Sequence, residues 1–553
     1  MSLFNIELPT LSMDDVIHWF TFNPKEPLLF NSGLFLGFFI IFYLFYIFMR
    51  KTFHVRLLYV VLFSLFFYYK SSGLYFLILV GSSVLDYYLA NVINNSTNQA
   101  KRKLLLTLSI IVNLGMLGYF KYTNFFLDGI NFFTHSGFHI DDIILPVGIS
   151  FFTFQSISYI IEIYRKEIEP TKSFLDYLFF ISFFPQLVAG PIVRAKDFIP
   201  QIYQNVLVTR DNVNEGMLLI VGGLLKKAVI SDYISINFVD RVFDSPNSYT
   251  AFENLMASYG YAIQIYCDFS GYSDMAIGIA LLMGYRLPMN FNVPYQSQSI
   301  TEFWRRWHIS LSTWLKDFLY ITVGGNRKGS FGGFFFPSLF FVGVLGWGIY
   351  YYQTSIIPLI IAIASIVVFG LTIVFSKEKK KSLFTNFNLL TTMLLGGLWH
   401  GASMRFIVWG ALHGIALAVH KIFMELIPRA KDKQPSFLWK VASIVITFHF
   451  VTFCWIFFRA RSFDVALSVI DNISKIEWDW HAWMVIIEGY KNVFLLIAIA
   501  FVWHFIPKKW MEVPHALFNN SNVFVKSVFM GFIFWIVYAT ASAGPQPFIY
   551  FQF

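Results

Sequence analysis

Two histidine-containing motifs are the parts of this chain best suited to chemistry: the RRWH motif that ends at His308 and the LWHG motif that contains His400. An ionisable side chain is costly in a hydrocarbon environment, so one that is retained within apolar sequence is a candidate for function. Histidine is also the side chain whose proton affinity lies nearest neutral pH. The two histidines therefore indicate acid–base or acyl-transfer chemistry inside a lipid bilayer.

Glycines surround His400 in the sequence MLLGGLWHGASMRF. A glycine has no Cβ, so Gly396, Gly397 and Gly401 allow a neighbouring backbone or a substrate to approach this histidine closely. We predict that they interrupt the element Leu389–His400 and that a cavity lies beside it, because irregular backbone at membrane depth needs a protein or water-filled surrounding. The alternative is a helix-packing glycine motif with a structurally hydrogen-bonded histidine.

The segment Thr301–Lys328 predicts a helix at the membrane surface. Its sequence, TEFWRRWHISLSTWLKDFLYITVGGNRK, places apolar side chains at helical spacing with basic side chains between them, as an interfacial helix requires. One interpretation is an anchor helix in which His308 is simply packed; the other is that Arg305 and Arg306 bind a phosphorylated donor. The Gly-Gly-Asn-Arg sequence that ends at Arg327 is either a turn or a backbone and guanidinium site for the same phosphates.

Asp268 and Asp274 are two carboxylates within the apolar segment Tyr261–Asn292. Intramembrane carboxylates seldom lack a partner, so we expect them to pair with Arg286 or with a histidine. Such a pair would either fix a histidine tautomer near bound substrate or hold helices together. We favour the structural role.

No metal site is predicted. The other histidines lie in loops or singly in apolar segments, and no pair has the spacing of metal ligands. His413, 13 residues after His400, is predicted to be structural or to support another residue. The two cysteines, Cys267 and Cys454, are predicted to be small buried residues.

Membrane helices must position these motifs. Of the 553 residues, 57% are apolar and 13% are charged, whereas soluble domains carry about 25% charged residues. We therefore predict an all-α polytopic membrane protein formed by one integral membrane domain over residues 1–553.

A span needs about 20 apolar residues, so the shorter or broken segments are predicted to re-enter the membrane. Leu178–Gly190, followed by Pro191, is one broken element. The predicted spans are Leu28–Met49, Leu57–Tyr69, Leu74–Ile93, Leu104–Phe120, Ile143–Tyr164, Gly216–Ile230, Met256–Met283, Phe334–Tyr352, Ile356–Phe375, Phe406–Phe423, Val441–Phe458, Val493–Ile506 and Val523–Tyr538.

The net charge of +9 does not indicate a nucleic-acid-binding protein, because the basic residues cluster at the ends of apolar segments. This distribution sets membrane orientation. We place the basic clusters in the cytoplasm and the N-terminus, with Asp14 and Asp15, on the opposite side. The clusters are Arg50-Lys51, Lys101–Lys103, Lys226-Lys227, Arg305–Lys328, Lys377–Lys381, Arg429–Lys433 and Lys508-Lys509.

Six longer stretches cover most of the chain from about residue 100 onward. They are LPVGISFFTFQSISYIIEIYR from Leu145, FFPQLVAGPIVR from Phe183, YCDFSGYSDMAIGIALLMGYRLPMNFN from Tyr266, FWRRWHISLSTWLKDFLYITVGGNRKG from Phe303, LLGGLWHGASMRFIVWGALHG from Leu394 and the C-terminal PFIYFQF. In this order they resemble the membrane-bound O-acyltransferase family, and within it the bacterial branch of alginate and peptidoglycan O-acetyltransferases.

The resemblance implies that His400, in the WHG motif, is the essential histidine and that His308 is the second characteristic one. It also implies a ring of transmembrane and re-entrant helices around a central tunnel, where a cytoplasmic acyl thioester meets an acceptor from the other face. Trp307 and Trp399, beside the two histidines, are candidates for binding substrate, as are Asp268 and Asp274.

From the resemblance we expect transfer of an acetyl or other short acyl group to a hydroxyl of an exported polysaccharide or peptidoglycan at the bacterial cytoplasmic membrane. The donor would be a thioester such as acetyl-CoA or an acyl carrier protein, with no bound cofactor, and an extracytoplasmic SGNH or esterase-like partner would complete delivery. The alternatives are transfer of D-alanine or a longer acyl group to a lipid or teichoic acid, and a transporter in which intramembrane histidines and aspartates relay protons.

One region departs from the family pattern. Phe334–Phe375 lies between the GGNRKG and WHG motifs and predicts two additional spans. Two spans are an even number, so His400 should keep its sidedness relative to His308. The insertion would serve either as a docking hairpin or as padding of the outer wall.

Overall fold

The computed structural model of the protein describes residues 12–24, 26–141, 143–350, 356–427, 435–540, 546, 548 and 549. Within these residues the secondary structure is helical and contains no strand, which confirms the predicted fold class. The basic cluster Arg429–Lys433 lies outside the described residues, as does all of the C-terminal motif except Phe548 and Ile549.

The helices are numbered in chain order. They are α1 Met13–Phe20, α2 Gly33–Met49, α3 Phe53–Ser72, α4 Phe76–Asn95, α5 Gln99–Thr134, α6 Ile149–Tyr164, α7 Phe174–Ser182, α8 Phe184–Leu187, α9 Ala195–Ile202, α10 Arg210–Leu224, α11 Asp232–Ile234, α12 Asp240–Asp244, α13 Ala251–Leu282, α14 Ile300–Arg306, α15 Ile309–Trp314, α16 Phe331–Tyr350, α17 Ile357–Val374, α18 Lys379–His400, α19 Met404–Leu426, α20 Phe437–Arg459, α21 Phe463–Ser474, α22 Trp480–Gly489, α23 Lys491–Phe505, α24 Lys508–Asn520 and α25 Val523–Thr540. Three π-helical segments add Leu225–Ser231, Ser235–Val239 and Leu315–Tyr320, and 3₁₀ turns occupy Gly73–Tyr75, Pro246–Ser248 and Pro294–Gln296.

Several helices meet the length and apolarity that a membrane crossing requires. Six candidate spans lie among the described residues: Phe53–Asn95, Gln99–Phe132, Phe331–Tyr350, Met404–Leu426, Phe437–Arg459 and Val523–Thr540. The pair α22 and α23 is bent by 92° and passes the same test as one broken element. These helices make the chain a multi-pass membrane protein. The other predicted spans correspond to helices that are shorter or more polar, and Met256–Met283 corresponds to the single helix α13, which ends at Leu282.

The chain divides into two compact units. The first contains residues 1–120, 142–209 and 279–286, and its core is rich in phenylalanine. Here the break predicted within Leu178–Gly190 is confirmed, because α7 ends at Ser182 and the four-residue helix α8 begins at Phe184. The Phe184 ring lies 5.0 Å from Phe63 and 5.7 Å from Phe42, so the break inserts an aromatic side chain between α2 and α3.

The second unit contains residues 121–141, 210–278 and 287–553. Within it, α10 and α13 pack backbone to backbone, since a Cβ at Gly223 would overlap the carbonyl oxygen of Gly271. The π-helical segment that follows α10 carries Lys226 and Lys227, and Lys227 is buried. The cytoplasmic placement of these two lysines stays a prediction.

The helices α16 and α17 form the hairpin predicted between the two motifs. They pack against α18 and α19 through a core that contains Phe369, Leu390 and Ala411. The hairpin therefore supports the helix that ends at His400.

Candidate active site

His400 is the last residue of α18 and its side chain is buried. Its imidazole is surrounded by aromatic rings, with centroids at 4.9 Å for Trp399, 5.0 Å for Trp409 and 5.2 Å for Phe458. All of these residues belong to the second unit. A buried aromatic environment excludes water, which favours a neutral imidazole that can accept a proton.

Two side chains of α5 hold the end of α18. Lys121 Nζ donates to the carbonyl oxygens of Trp399 at 2.6 Å and His400 at 3.0 Å, and Tyr122 Oη donates to that of Leu398 at 2.7 Å. The last carbonyls of a helix have no partner within the helix, and a cation there is favoured by the helix dipole. Lys121 and Tyr122 therefore fix the backbone from which His400 projects. No sequence pattern indicated either residue.

Gly396 and Gly397 do not break α18, so that part of the prediction was wrong, whereas the helix does end at His400, immediately before Gly401. The helix is continuous to His400, and a Cβ at Gly397 would overlap the carbonyl oxygen of Phe406 on α19. A Cβ at Gly410 on α19 would likewise overlap the carbonyl oxygen of Met393 on α18. The glycines therefore act as a close-packing motif, which brings Trp409 of α19 against His400.

His308 lies at a kink between two helices. The chain predicted as one interfacial helix divides into α14 and α15, and His308 between them has φ +43°, a left-handed conformation that is uncommon for a residue with a side chain. Its side chain is fully buried, with its ring 4.6 Å from Phe269 and 6.2 Å from Trp399. Trp399 is therefore in contact with both histidines.

Asn290 holds this kink. Its backbone oxygen accepts from Ile309 N at 2.9 Å, and its side-chain Oδ1 accepts from Ser310 N at 3.2 Å. The His308 Nδ1 atom lies 3.2 Å from the same Oδ1. The Ser310 amide can only donate a hydrogen bond, so the Asn290 side-chain atom that it contacts must be the oxygen. This oxygen can only accept, and the His308 Nδ1 atom beside it must therefore carry a proton.

The tautomer of His308 follows from this contact. A proton on Nδ1 leaves Nε2 of the neutral ring as a hydrogen-bond acceptor. Burial lowers the pKa of His308 to about 3, so the ring is neutral at physiological pH. A neutral His308 in this tautomer accepts a hydrogen bond at Nε2 and does not polarise a carbonyl from that atom.

The predicted donor-binding arginines lie in different surroundings. Arg305 and Arg327 are exposed, whereas Arg306 is half-buried and forms an ion pair with Glu302 at 2.6 Å. Trp307 is buried, with its ring stacked on Phe303 at 5.6 Å.

The Gly-Gly-Asn-Arg sequence forms a closed turn. The amides of Arg327 and Lys328 both donate to the carbonyl oxygen of Gly324 at 3.1 Å. Asn388 of α18 donates to the carbonyl oxygens of Gly325 and Lys328, each at 2.9 Å. These contacts tie the turn to the helix that ends at His400. They also leave the Arg327 side chain as the part of the turn best able to contact a phosphate.

Asp268 and Asp274 pair with lysines, so the expectation of Arg286 or a histidine was wrong. Asp274 binds Lys226 at 2.6 Å, and Asp268 forms an ion pair with Lys227. Lys227 also contacts Asp232 at 2.8 Å. Charge compensation drives this choice, since an unpaired charge within the protein costs several kcal/mol.

The C-terminal residues also reach this part of the molecule. The Ile549 amide donates to Asp268 Oδ2 at 3.1 Å, and the Phe548 ring lies 5.4 Å from Phe269, which also contacts His308. The tail and the two-histidine site thus share one wall of aromatic residues. Among the described residues, no group of three or more His, Cys, Asp or Glu side chains is arranged to hold a metal ion.

Comparisons with known proteins relate this chain to enzymes. The MBOAT, membrane-bound O-acyltransferase family matches residues 164–372, which include α16 and all but the last two residues of α17. The chain is 37% identical over 442 residues to the peptidoglycan O-acetyltransferase of Helicobacter pylori, across 75% of this chain and 73% of that protein. It is 40% identical over 374 residues to the probable alginate O-acetylase of Pseudomonas putida, across 67% of this chain and 64% of that protein, slightly less than two thirds. It is 27% identical over 326 residues to the teichoic acid D-alanyltransferase of Bacillus subtilis, across 57% of this chain and 69% of that protein.

The protein is a multi-pass helical protein with a buried pair of histidines and with these relatives. Together these features place it in the class of membrane O-acyltransferases. This class excludes the transporter alternative. The chain belongs to the membrane-bound O-acyltransferase family.

Proposed function

We propose that this protein transfers an acetyl or other short acyl group from a cytoplasmic thioester to a hydroxyl of an exported polysaccharide or peptidoglycan. The observation that carries the proposal is the position of His400, buried at the end of α18 among aromatic rings, with His308 beyond the shared ring of Trp399. The names of the relatives in Helicobacter pylori and Pseudomonas putida support acetyl transfer to envelope glycans.

In the proposed reaction, His400 accepts the proton of the attacking hydroxyl. The hydroxyl oxygen forms a bond to the acyl carbon, the carbon–sulfur bond breaks, and the proton passes from the imidazole to the leaving thiolate. Transient acylation of His400, followed by attack of the hydroxyl on that intermediate, gives the same products. His308 positions the donor molecule by accepting, at Nε2, a hydrogen bond from an amide N–H of the pantetheine arm that carries the thioester, as its tautomer allows.

The donor is proposed to be acetyl-CoA or an acyl carrier protein that approaches from the cytoplasm. The exposed side chains of Arg305 and Arg327 support binding of donor phosphates, because guanidinium groups form paired hydrogen bonds with phosphate oxygens. Arg306, Trp307, Asp268 and Asp274 are engaged in protein contacts, so their proposed role is to support the site.

The membrane is proposed to be the bacterial cytoplasmic membrane, with the N-terminus outside. The acceptor is an extracytoplasmic glycan, reached through an SGNH or esterase-like partner transferase. No cofactor beyond the thioester substrate is proposed.

D-alanyl transfer is the second candidate, because relatives in Bacillus subtilis and Streptococcus thermophilus are named teichoic acid D-alanyltransferases. The two candidates differ in the donor. Presenting purified protein with acetyl-CoA, with acetyl carrier protein and with D-alanyl carrier protein separates them, since only the true donor should lose its acyl group.

The decisive experiment uses protein in nanodiscs with [¹⁴C]acetyl-CoA or [¹⁴C]acetyl carrier protein, and a polysaccharide or peptidoglycan fragment as acceptor. We expect His400→Ala to lower turnover about 10²–10⁴-fold, the range for loss of a general base. The matched control is His449→Ala, since His449 is exposed on α20 and its Nδ1 hydrogen-bonds to Val445 O of its own helix. A folded His400→Ala protein with wild-type turnover would refute the role of His400.

A further inference from the structure

Two buried N–H groups lie beside His400, both on α19. Trp409 is 1% exposed and His413 is fully buried. The Trp409 ring centroid lies 5.0 Å from that of His400 and 4.8 Å from that of His413. His413 follows Trp409 by four positions, so both project from the same face of the helix.

The tautomer of His413 is fixed by Trp304. The indole Nε1 of Trp304 lies 3.3 Å from His413 Nδ1, and an indole nitrogen can only donate. Nδ1 of His413 therefore accepts, and the ring proton is on Nε2. His413 thus presents an N–H donor at Nε2, as Trp409 does at Nε1.

Neither donor has a hydrogen-bond acceptor among the described residues. Leaving a buried donor without an acceptor costs about 1–3 kcal/mol, so such groups are rare in folded proteins and often belong to functional sites. The rings around them, Trp304, Phe450 and Phe458, provide no strong acceptor. Two donors that are buried, adjacent and unpaired fit a ligand that brings its own oxygen acceptor.

We propose that Trp409 Nε1 and His413 Nε2 are catalytic donors that bind the carbonyl oxygen of the acyl thioester. This inference rests on the proposed function. When the acceptor hydroxyl attacks the acyl carbon, the carbonyl electron pair moves to oxygen, and the two N–H groups stabilise the resulting oxyanion. As the carbonyl re-forms, the carbon–sulfur bond breaks and the thiolate leaves with the proton from the His400 imidazolium. The donors give hydrogen bonds and are not consumed.

Preorganised donors of this kind act mainly on the transition state. Their removal should therefore lower kcat and leave KM for the thioester nearly unchanged. A purely structural role would reduce the folded fraction or the melting temperature without this kinetic pattern.

The test replaces Trp409 with phenylalanine and, separately, with β-(3-benzothienyl)alanine, in which sulfur takes the place of the N–H. The second replacement keeps the size and the ring packing, so it decides the question if Trp409→Phe fails to fold. We expect kcat for acetyl transfer from the thioester to fall about 100-fold in both variants, the loss typical of one such donor. His413→Phe should lower kcat similarly, whereas His413→Gln, which retains an N–H donor, should recover part of it.

The control is Trp483→Phe, because Trp483 is a half-buried tryptophan stacked on Phe252 at 4.7 Å, in a different cluster. Its kcat should equal that of the wild type. Wild-type kcat in the folded benzothienylalanine variant, or a rise in KM with kcat unchanged, would overturn the inference while leaving acyl transfer in place. Absence of acyl transfer from every thioester in the wild type would instead refute the proposed function, and the inference with it.

Discussion

Asn290 shows how a single residue determines the chemistry available to another. Its side-chain oxygen accepts from the Ser310 amide and from His308 Nδ1, and its Nδ2 donates to Ser273 Oγ at 3.2 Å. Asn290 thus fixes both the left-handed kink at His308 and the tautomer of the ring. It lies within the LPMNFN sequence that was used only for the family resemblance.

Replacing Asn290 tests this arrangement. Asn290→Leu has a similar size but leaves the Ser310 amide and His308 Nδ1 without their acceptor, so we expect a loss of about 1–3 kcal/mol of stability and reduced turnover. Asn290→Asp keeps an oxygen acceptor and should retain more turnover. Thermal unfolding and acyl-transfer rates of both variants provide the measurement; equal turnover in the two would argue against a role through the acceptor oxygen.

At the scale of the secondary-structure elements, the end of α18 decides where His400 stands. Three carbonyl oxygens of its last turn accept hydrogen bonds from Lys121 and Tyr122 of α5. Lys121 Nζ also lies 5.9 Å from the centroid of the Trp399 ring. The helix end is therefore fixed from outside α18.

Lys121→Met removes the charge and the donor but keeps most of the side-chain length. We expect kcat to fall because His400 loses its fixed backbone, with Lys121→Arg recovering part of the rate. Tyr122→Phe, which removes one hydroxyl, should have a smaller effect of the same kind. Steady-state kinetics with the thioester, together with the melting temperature, check this; a change in KM alone would contradict a positioning role.

The packing of α18 on α19 depends on glycine at position 397. A Cβ there would overlap the Phe406 carbonyl oxygen, a backbone atom that cannot turn away. Overpacking typically costs about 1–3 kcal/mol, and separation of the helices would also move Trp409 from His400. Gly397→Ala should therefore lower both the melting temperature and turnover.

The control for this substitution is Gly370→Ala in α17, since nothing lies within 4 Å of a Cβ built there. Alanine favours a helix over glycine by up to about 1 kcal/mol, so Gly370→Ala should be neutral or slightly stabilising. Similar loss of stability in both variants would contradict the close-packing explanation.

At the scale of the whole molecule, buried charges join parts of the chain that are far apart in sequence. Lys227 pairs with Asp268 of α13 and with Asp232, while Asp268 also accepts from the amide of Ile549. Breaking a buried ion pair from one side is strongly destabilising because it leaves a charge within the protein.

Asp268→Asn should therefore destabilise the protein by about 3 kcal/mol. Asp471→Asn is the control, because its partner Lys475 is exposed and such surface pairs contribute about 0–1 kcal/mol. Thermal unfolding in detergent compares the two. If both variants lose the same small amount, the Asp268 carboxylate does not stabilise the buried network.

Much of this protein was predictable from the sequence because the relevant signals are local. The apolar composition determines an all-α membrane protein, since only helices satisfy their backbone hydrogen bonds within a single apolar segment. Short motifs around His308 and His400 indicated the candidate site and the family for the same reason. The break near Phe183 also followed from a local sequence that contains proline.

Only the tertiary structure decided which residues surround and hold the histidines. Trp399 and Trp409 belong to the stretch that contains the motif, but Lys121 and Asn290 come from other segments, and no local pattern links a lysine in α5 to carbonyls nearly 280 residues later. The lysine partners of Asp268 and Asp274 were likewise selected by three-dimensional proximity. The continuity of α18 depended on packing, because the cost of Gly396 and Gly397 in a helix is about 1 kcal/mol each, and close contact with α19 offsets it.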